Sequence, residues 1–186
     1  TKKLLGAKPI KAEILLHGSF AATGQGHGTD RAIVAGLLGM QPDDMRIPKS
    51  FEEAAKEGLE FSIKKTRIAN AHPNTALITA YGANRNKIVV QLSSLGGGRI
   101  MINTLDGIEV NCTGECPTLI VHNNDTPGHV ARVTTLLAQS GVNIATMHLY
   151  RDKRGGYAVM VIETDQQVKK TYTTWLRETD AIMKLT

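Results

Sequence analysis

The spacing of apolar and polar residues divides the first two thirds of the chain into several short strands and few helices. An apolar run, Ile14-Leu15-Leu16, predicts a buried strand over residues 11–18. Residues 31–38, Arg-Ala-Ile-Val-Ala-Gly-Leu-Leu, read as part of a helix over 30–39. Ser50-Phe51-Glu52-Glu53 has the form of a capping box, which predicts a short helix running to Lys56 or Glu57 and stopping at Gly58. Residues 59–64 alternate apolar and polar with the period of a half-buried strand. Further strands are expected over 75–81, 87–95 and 99–110, with turns at 71–74, 82–86 and Asp106-Gly107.

After residues 111–116, which read as a linker, the pattern becomes compact. A strand over 117–121 is followed by Thr126 as a helix cap and Pro127 at the first helical position. Val130, Val133, Leu136 and Leu137 form one helical face, and Gly141 ends it. Strands at 142–150 and 157–163 flank a hairpin turn at 151–156. Val168, Tyr172, Trp175 and Leu176 mark a second helical face, and 182–185 a last short strand. The order βαββαβ is the ferredoxin-like split arrangement. The fold class is therefore α+β: a mixed, largely antiparallel domain over 1–111, a linker over 112–116, and a ferredoxin-like domain over 117–186.

Between the first strand and the first helix lies the segment 18–30, Gly-Ser-Phe-Ala-Ala-Thr-Gly-Gln-Gly-His-Gly-Thr-Asp. A strand feeding a glycine-rich loop and then a helix N-terminus turns unpartnered amides and a positive dipole end toward the loop. Such a site favours a carboxylate or phosphate. The third glycine of a dinucleotide fingerprint would fall at Thr29, and no Lys-Ser/Thr pair follows, so neither nucleotide motif is present. A plain flexible turn capped by Thr29 or Asp30 is the competing interpretation. Gly96, Gly97 and Gly98 likewise read either as a bulge or wide turn or as backbone lying against a ligand.

Composition narrows the classes. Aromatic residues make up 4% of the chain and the net charge is +5, spread along the sequence, so nucleic acid is not expected as a partner. No apolar run reaches the length of a membrane span. Two cysteines, Cys112 and Cys116, are too few to hold a four-iron cluster or a structural zinc alone, so no metal is assigned to this chain. They are either a disulfide or free thiols, and the rest of the sequence reads as cytoplasmic. The chain opens on Thr1 without a methionine, from which upstream residues are expected.

Residues 122–128, His-Asn-Asn-Asp-Thr-Pro-Gly, followed by 141–144, Gly-Val-Asn-Ile, resemble the ACT domain, a regulatory module of amino-acid metabolism. The resemblance implies side-by-side pairing into a homodimer and a small-amino-acid effector held by Asn124, Asp125, Pro127, Gly128 and Asn143. The first 110 residues resemble the β subunit of the bacterial iron–sulfur L-serine dehydratase (L-serine ammonia-lyase). The residues carrying that likeness are 18–21, Gly-Ser-Phe-Ala; 26–30, Gly-His-Gly-Thr-Asp; 72–75, His-Pro-Asn-Thr; and the three glycines at 96–98. The same domain is similar to the substrate-binding regulatory domain of some phosphoglycerate dehydrogenases. The family's upstream Ser-Ser-Ser-His-Thr segment is absent here.

This resemblance implies a lyase subunit in the deamination of L-serine to pyruvate and ammonia. The [4Fe-4S] cluster would be carried by an α partner, whose iron acts as a Lewis acid on the serine hydroxyl. This chain would be a non-autonomous half. Gly26, His27, Gly28 and Thr29 would orient the substrate carboxylate, with Gly96, Gly97 and Gly98 lining the same cleft; no catalytic base is assigned here. A different class of function is a non-catalytic regulatory protein that senses serine or another anion. A self-sufficient hydrolase using His27 and Asp30 lacks an activated nucleophile.

Overall fold

The computed structural model describes residues 1–24, 26–169, 171, 174 and 182–185. The chain divides into two compact units, Thr1–Gly107 and Ile108–Thr186.

The first unit begins with a single turn of helix, α1 (Lys2–Leu5), whose Leu5 is fully buried. Strand β1 (Pro9–His17) follows, with Ala12, Ile14 and Leu16 facing the core. Three helices come next: α2 (Gly18–Thr23), α3 (Thr29–Leu38) and, after one 3₁₀ turn at Ile47–Lys49, α4 (Ser50–Lys56). They return the chain to β2 (Glu60–Thr66), which pairs parallel to β1. Strands β3 (Asn74–Gly82), β4 (Lys87–Gly96) and β5 (Arg99–Leu105) then add antiparallel, in the order β2-β1-β3-β4-β5. Ile14, Ile78, Ile88 and Val90 are at most 3% exposed. Each such side chain contributes roughly 1.5–3 kcal/mol on leaving water.

The second unit opens with β6 (Ile108–Cys112), whose alternate residues Ile108, Val110 and Cys112 are buried. Strand β7 (Thr118–Asn124), helix α5 (His129–Gln139), β8 (Ile144–Arg151) and β9 (Tyr157–Thr164) follow, and β10 (Ile182–Leu185) closes the sheet. The order β10-β7-β9-β8, antiparallel throughout, is that of a ferredoxin-like sheet. Val133 and Leu137 of α5 pack on Leu119, Val121, Met160 and Ile162, with Val168 beside them. Beyond Val168, the expected second helical face lies outside the described residues.

Several local expectations give way to packing. The segment after β1 is not loop throughout, because residues 18–23 form α2. The caps of α3 and α5 are Gly28 and Gly128, both in the left-handed region, rather than Thr29 or Asp30 and Thr126. The capping box at Ser50 does not form. Ser50 lies inside the helix with its hydroxyl turned inward, donating to Arg31 O at 2.9 Å, and burial against α3 outweighs the local cap. Strand β7 runs three residues further than the pattern suggested, carrying His122 and Asn123 into the sheet.

Candidate functional site

In the first unit the sheet register gathers the sequence motifs at one end. His17, the last residue of β1, pairs with Thr66 of β2 and with Thr75 of β3; Thr75 pairs with Ser93 of β4, and Ser93 with Met101 of β5. The glycine segment after β1, the His72-Pro73-Asn74 turn before β3 and the Gly96–Gly98 turn after β4 therefore leave the sheet at the same edge. Strands lie about 4.8 Å apart, so β1 and β4, separated by β3, are on the order of 10 Å apart at that edge.

Gly18 is what lets the chain turn there. It adopts φ +57°, and a Cβ on it would lie 2.8 Å from Pro73 Cα and closer still to the Pro73 carbonyl oxygen. Ser19 N donates to that oxygen at 2.8 Å. Two blocks far apart in sequence, 18–21 and 72–75, are thus one structural joint. Below it, Thr75 and Ser93 are buried with their hydroxyls 2.8 Å apart, and Ser93 Oγ donates to Asn103 Oδ1 at 2.6 Å.

The expected ring of four free amides is smaller than the sequence suggested. His27 N donates to Thr23 O at 3.1 Å, and Thr29 N donates to Gly24 O at 2.8 Å. Both amides close the turn between α2 and α3. Arg31 N is taken by Asp30 Oδ1 at 2.8 Å and Ala32 N by Gly28 O at 2.9 Å. What the turn presents outward is the exposed His27 imidazole and the exposed Gly26, with half-buried Gly28 and Thr29 beside them.

Gly96, Gly97 and Gly98 resolve to a tight hairpin. Gly96 pairs with Arg99, and all three glycines have positive φ, between +60° and +84°. A two-residue turn between paired strands needs that conformation. A Cβ on any of them would meet nothing within 4 Å, so the space a side chain would take is open.

A separate cavity of about 230 Å³ lies under α2, between β1, β2, α3 and α4. None of the seven glycine-motif residues lines it. Phe20 and Ala21 of the 18–21 block and Asp30 of the 26–30 block do, together with Phe51 and Phe61. All three phenylalanines of the chain meet there. Period and motif did not reveal this; the clustering of so few aromatic residues within 42 positions was the available signal.

In the second unit, Asn124, Asp125, Pro127 and Gly128 form one loop ahead of α5. Asp125 already has partners within the chain. Its Oδ2 accepts from Arg151 Nη1 at 2.8 Å and from Gly155 N at 3.0 Å, tying the loop to the β8–β9 hairpin. The Gly155 amide, then the Arg151 guanidinium, hold its carboxyl below the usual carboxylate range. Thr126 Oγ1 lies 2.5 Å from His129 Nε2. The first α5 amide to reach back to the cap is that of Arg132, to Gly128 O, leaving the amides ahead of it facing the loop.

Asn143 is not part of that cluster within one chain. It follows the C-terminal end of α5 and donates through Nδ2 to Asp165 Oδ2 at 2.6 Å. Eleven helical residues, about 16 Å, separate the two ends. The loop of the first group and Asn143 meet in one site only if two copies contribute.

Both cysteines are free thiols. Cys112 is buried and Cys116 exposed, and burial pushes the Cys112 thiol up. Among the described residues no three His, Cys, Asp or Glu side chains are grouped to hold a metal ion. No helix among them is long and apolar enough to cross a membrane.

Comparison with known proteins agrees with this architecture. Residues 2–60 match the family model described as serine dehydratase beta chain, and residues 117–171 match that of the ACT domain. The chain is 35% identical over 167 residues to the probable L-serine dehydratase beta chain of Bacillus subtilis, covering 90% of this chain and 76% of that protein. It is 36% identical over 162 residues to the L-serine dehydratase beta chain of Peptoniphilus asaccharolyticus, covering 87% of this chain and 73% of that protein. A weaker similarity, 24% over 140 residues, reaches the D-3-phosphoglycerate dehydrogenase of B. subtilis, covering 75% of this chain and 26% of that enzyme. An α+β unit joined to a ferredoxin-like unit, with identity running through both, places the chain in the L-serine dehydratase beta-chain family, with an ACT domain at its C-terminal end.

Proposed function

We propose that this chain is the β half of a two-part L-serine dehydratase, which converts L-serine to pyruvate and ammonia in the cytoplasm. The observation that carries the reading is the convergence at one sheet edge of the α2–α3 turn, the His72-Pro73-Asn74 joint and the Gly96–Gly98 hairpin. An edge with exposed imidazole and glycine backbone, and few side chains to block approach, suits one wall of a site completed by another polypeptide.

Two thiols, one of them buried, do not supply the ligands of a four-iron cluster. The chain's residues do not fit that group, so the cluster is assigned to the α partner. What this chain supplies is positioning. His27 Nε2 or Nδ1 hydrogen-bonds the serine carboxylate, and the Gly26 and Gly28 amides lie alongside. Thr29 contributes its hydroxyl, since its amide is occupied by Gly24 O. The bare backbone of residues 96–98 lets the partner chain approach closely. The ACT domain pairs with a second copy and holds a small amino acid where the α5 N-terminus of one copy faces Asn143 of the other.

The similarity to D-3-phosphoglycerate dehydrogenase favours one competing reading, a unit that senses an anion without chemistry. Mixing the purified chain with an α chain, iron and L-serine separates them. Pyruvate formed only in the mixture supports the subunit reading. Pyruvate from this chain alone, or an α chain equally active without it, refutes it.

A further inference from the structure

The cavity beneath α2 has a chemistry of its own, independent of the glycine turn. Its wall is apolar: Leu16, Phe51, Phe61 and Ile63 line it, and the Phe51 and Phe61 rings stand 5.0 Å apart, tilted by 49°. Into that wall is set a carboxylate. Asp30 is only 7% exposed and lines the cavity. Its Oδ1 accepts the Arg31 amide at 2.8 Å, and no ion pair among the described residues includes it. Burying a carboxylate beside phenylalanines costs free energy unless a partner compensates it. The start of α3 compensates part of that cost through its dipole. A cation seated in the cavity would complete it.

The opposite charge is supplied from β2. The register pairs Ile14 with Ile63 and Leu16 with Lys65. Side chains alternate along a strand, so Ile63 and Lys65 share the helix-covered face with the buried Ile14 and Leu16; Lys64, out of step with that alternation, also borders the cavity. Lys65 is exposed and borders the cavity. One space therefore offers a carboxylate, an ammonium group and an aromatic-aliphatic wall. Its volume of about 230 Å³ admits a ligand the size of valine or leucine.

We propose that this cavity binds a branched-chain α-amino acid, with the ligand ammonium on Asp30, its carboxylate on Lys65 and its side chain between Phe51, Phe61 and Ile63. The site is separate from the ACT loop and from the glycine turn, and it does not depend on the chain being a dehydratase subunit. Occupancy ties α2, α3, α4 and β2 together, so the ligand stabilises the first unit.

The test is calorimetric titration of the full chain with L-valine and L-leucine, beside 3-methylbutylamine, which lacks the carboxylate, and 4-methylpentanoate, which lacks the amine. Saturable binding of valine or leucine is expected, with a loss of about tenfold or more for either compound lacking one charge. Asp30→Asn should weaken leucine by about tenfold or more, and Asp125→Asn in the ACT loop should leave it unchanged. Should Asp30→Asn fail to fold, Lys65→Ala at an exposed position replaces it, and in that variant leucine and 3-methylbutylamine should bind alike. No saturable binding of either amino acid overturns the proposal. So does leucine binding that survives Asp30→Asn in a folded protein, survives Lys65→Ala undiminished, or is lost in Asp125→Asn.

Discussion

Replacing Gly18 by alanine tests the joint on which the candidate site is built. Gly18 sits at φ +57°, a conformation that costs an L-residue roughly 1–2 kcal/mol. The new methyl would also stand 2.8 Å from Pro73 Cα, and the obstruction is backbone rather than a side chain that can swing aside. Either α2 or the turn at 72–74 must shift, which breaks the bond from Ser19 N to Pro73 O, worth about 0.5–1.5 kcal/mol. The sum is about 2–3 kcal/mol. Gly28→Ala is the control. It too has positive φ, at +71°, but open space around a Cβ, so only the conformational cost of about 1 kcal/mol applies. For a unit of this size, each kcal/mol moves Tm by about 4–8 °C. Thermal unfolding of the full chain, followed by circular dichroism, should show the first unit's transition falling by roughly 10–20 °C for Gly18→Ala and by about 5 °C for Gly28→Ala. Hydrogen exchange at Ser19 N should lose its protection in the first variant alone. Equal losses in the two variants would refute the close approach of Gly18 to Pro73.

Three further outcomes follow from particular contacts. Alkylation near neutral pH should modify Cys116 quickly and Cys112 slowly, because one thiol is exposed while the other is buried with its ionisation pushed to higher pH; equal rates would contradict the placement of β6. Asp125 has its carboxyl lowered in the folded chain, so its tether to the hairpin is fully present above the ordinary carboxylate range near 4 and is lost as pH falls through the lower folded value. Protection of Gly155 N relative to an unstructured amide at the same pH should therefore fall on acidification only below about pH 4, and Asp125→Ala should lower it at every pH. Ser93→Ala removes the hydroxyl that donates to Asn103 and lies against Thr75, whose own hydroxyl still donates to His72 O, and should cost about 0.5–1.5 kcal/mol in urea unfolding, against a few tenths for Ser94→Ala beside it.

The strands were legible because their signals are local. Alternation, apolar runs and glycine turns gave β1, β3, β4 and the ferredoxin-like order to within a residue or two. Helix α2 was hidden because 18–23 is bracketed by glycines and has no apolar stripe; it forms where Gly18 docks on Pro73 and Phe20 turns into the cavity. The helix caps were misassigned for a related reason. Thr29, Asp30, Thr126 and Ser50 are all good caps in isolation, but glycine at 28 and 128 reaches the left-handed conformation the chain path demands, and Ser50 is drawn inward to Arg31 O. For the candidate site, the sequence singled out segments that the sheet register brings together, and misjudged their amides, because the carbonyls of Thr23 and Gly24 were not recognisable as acceptors until the turn was folded. The separation of Asn143 from the 124–128 loop was likewise invisible, since a pair of motifs says nothing about which end of a helix each occupies.

The most direct test of the account is the effect of His27→Ala in the reconstituted dehydratase. His27 is exposed and makes no structural contact through its ring among the described residues, so the variant should fold. Losing a hydrogen bond to the serine carboxylate, worth about 1.5–3 kcal/mol, predicts a rise in KM for L-serine of about tenfold or more with the chain still bound to its α partner. Unchanged KM and kcat in a fully assembled complex would contradict the claim that the α2–α3 turn faces the substrate.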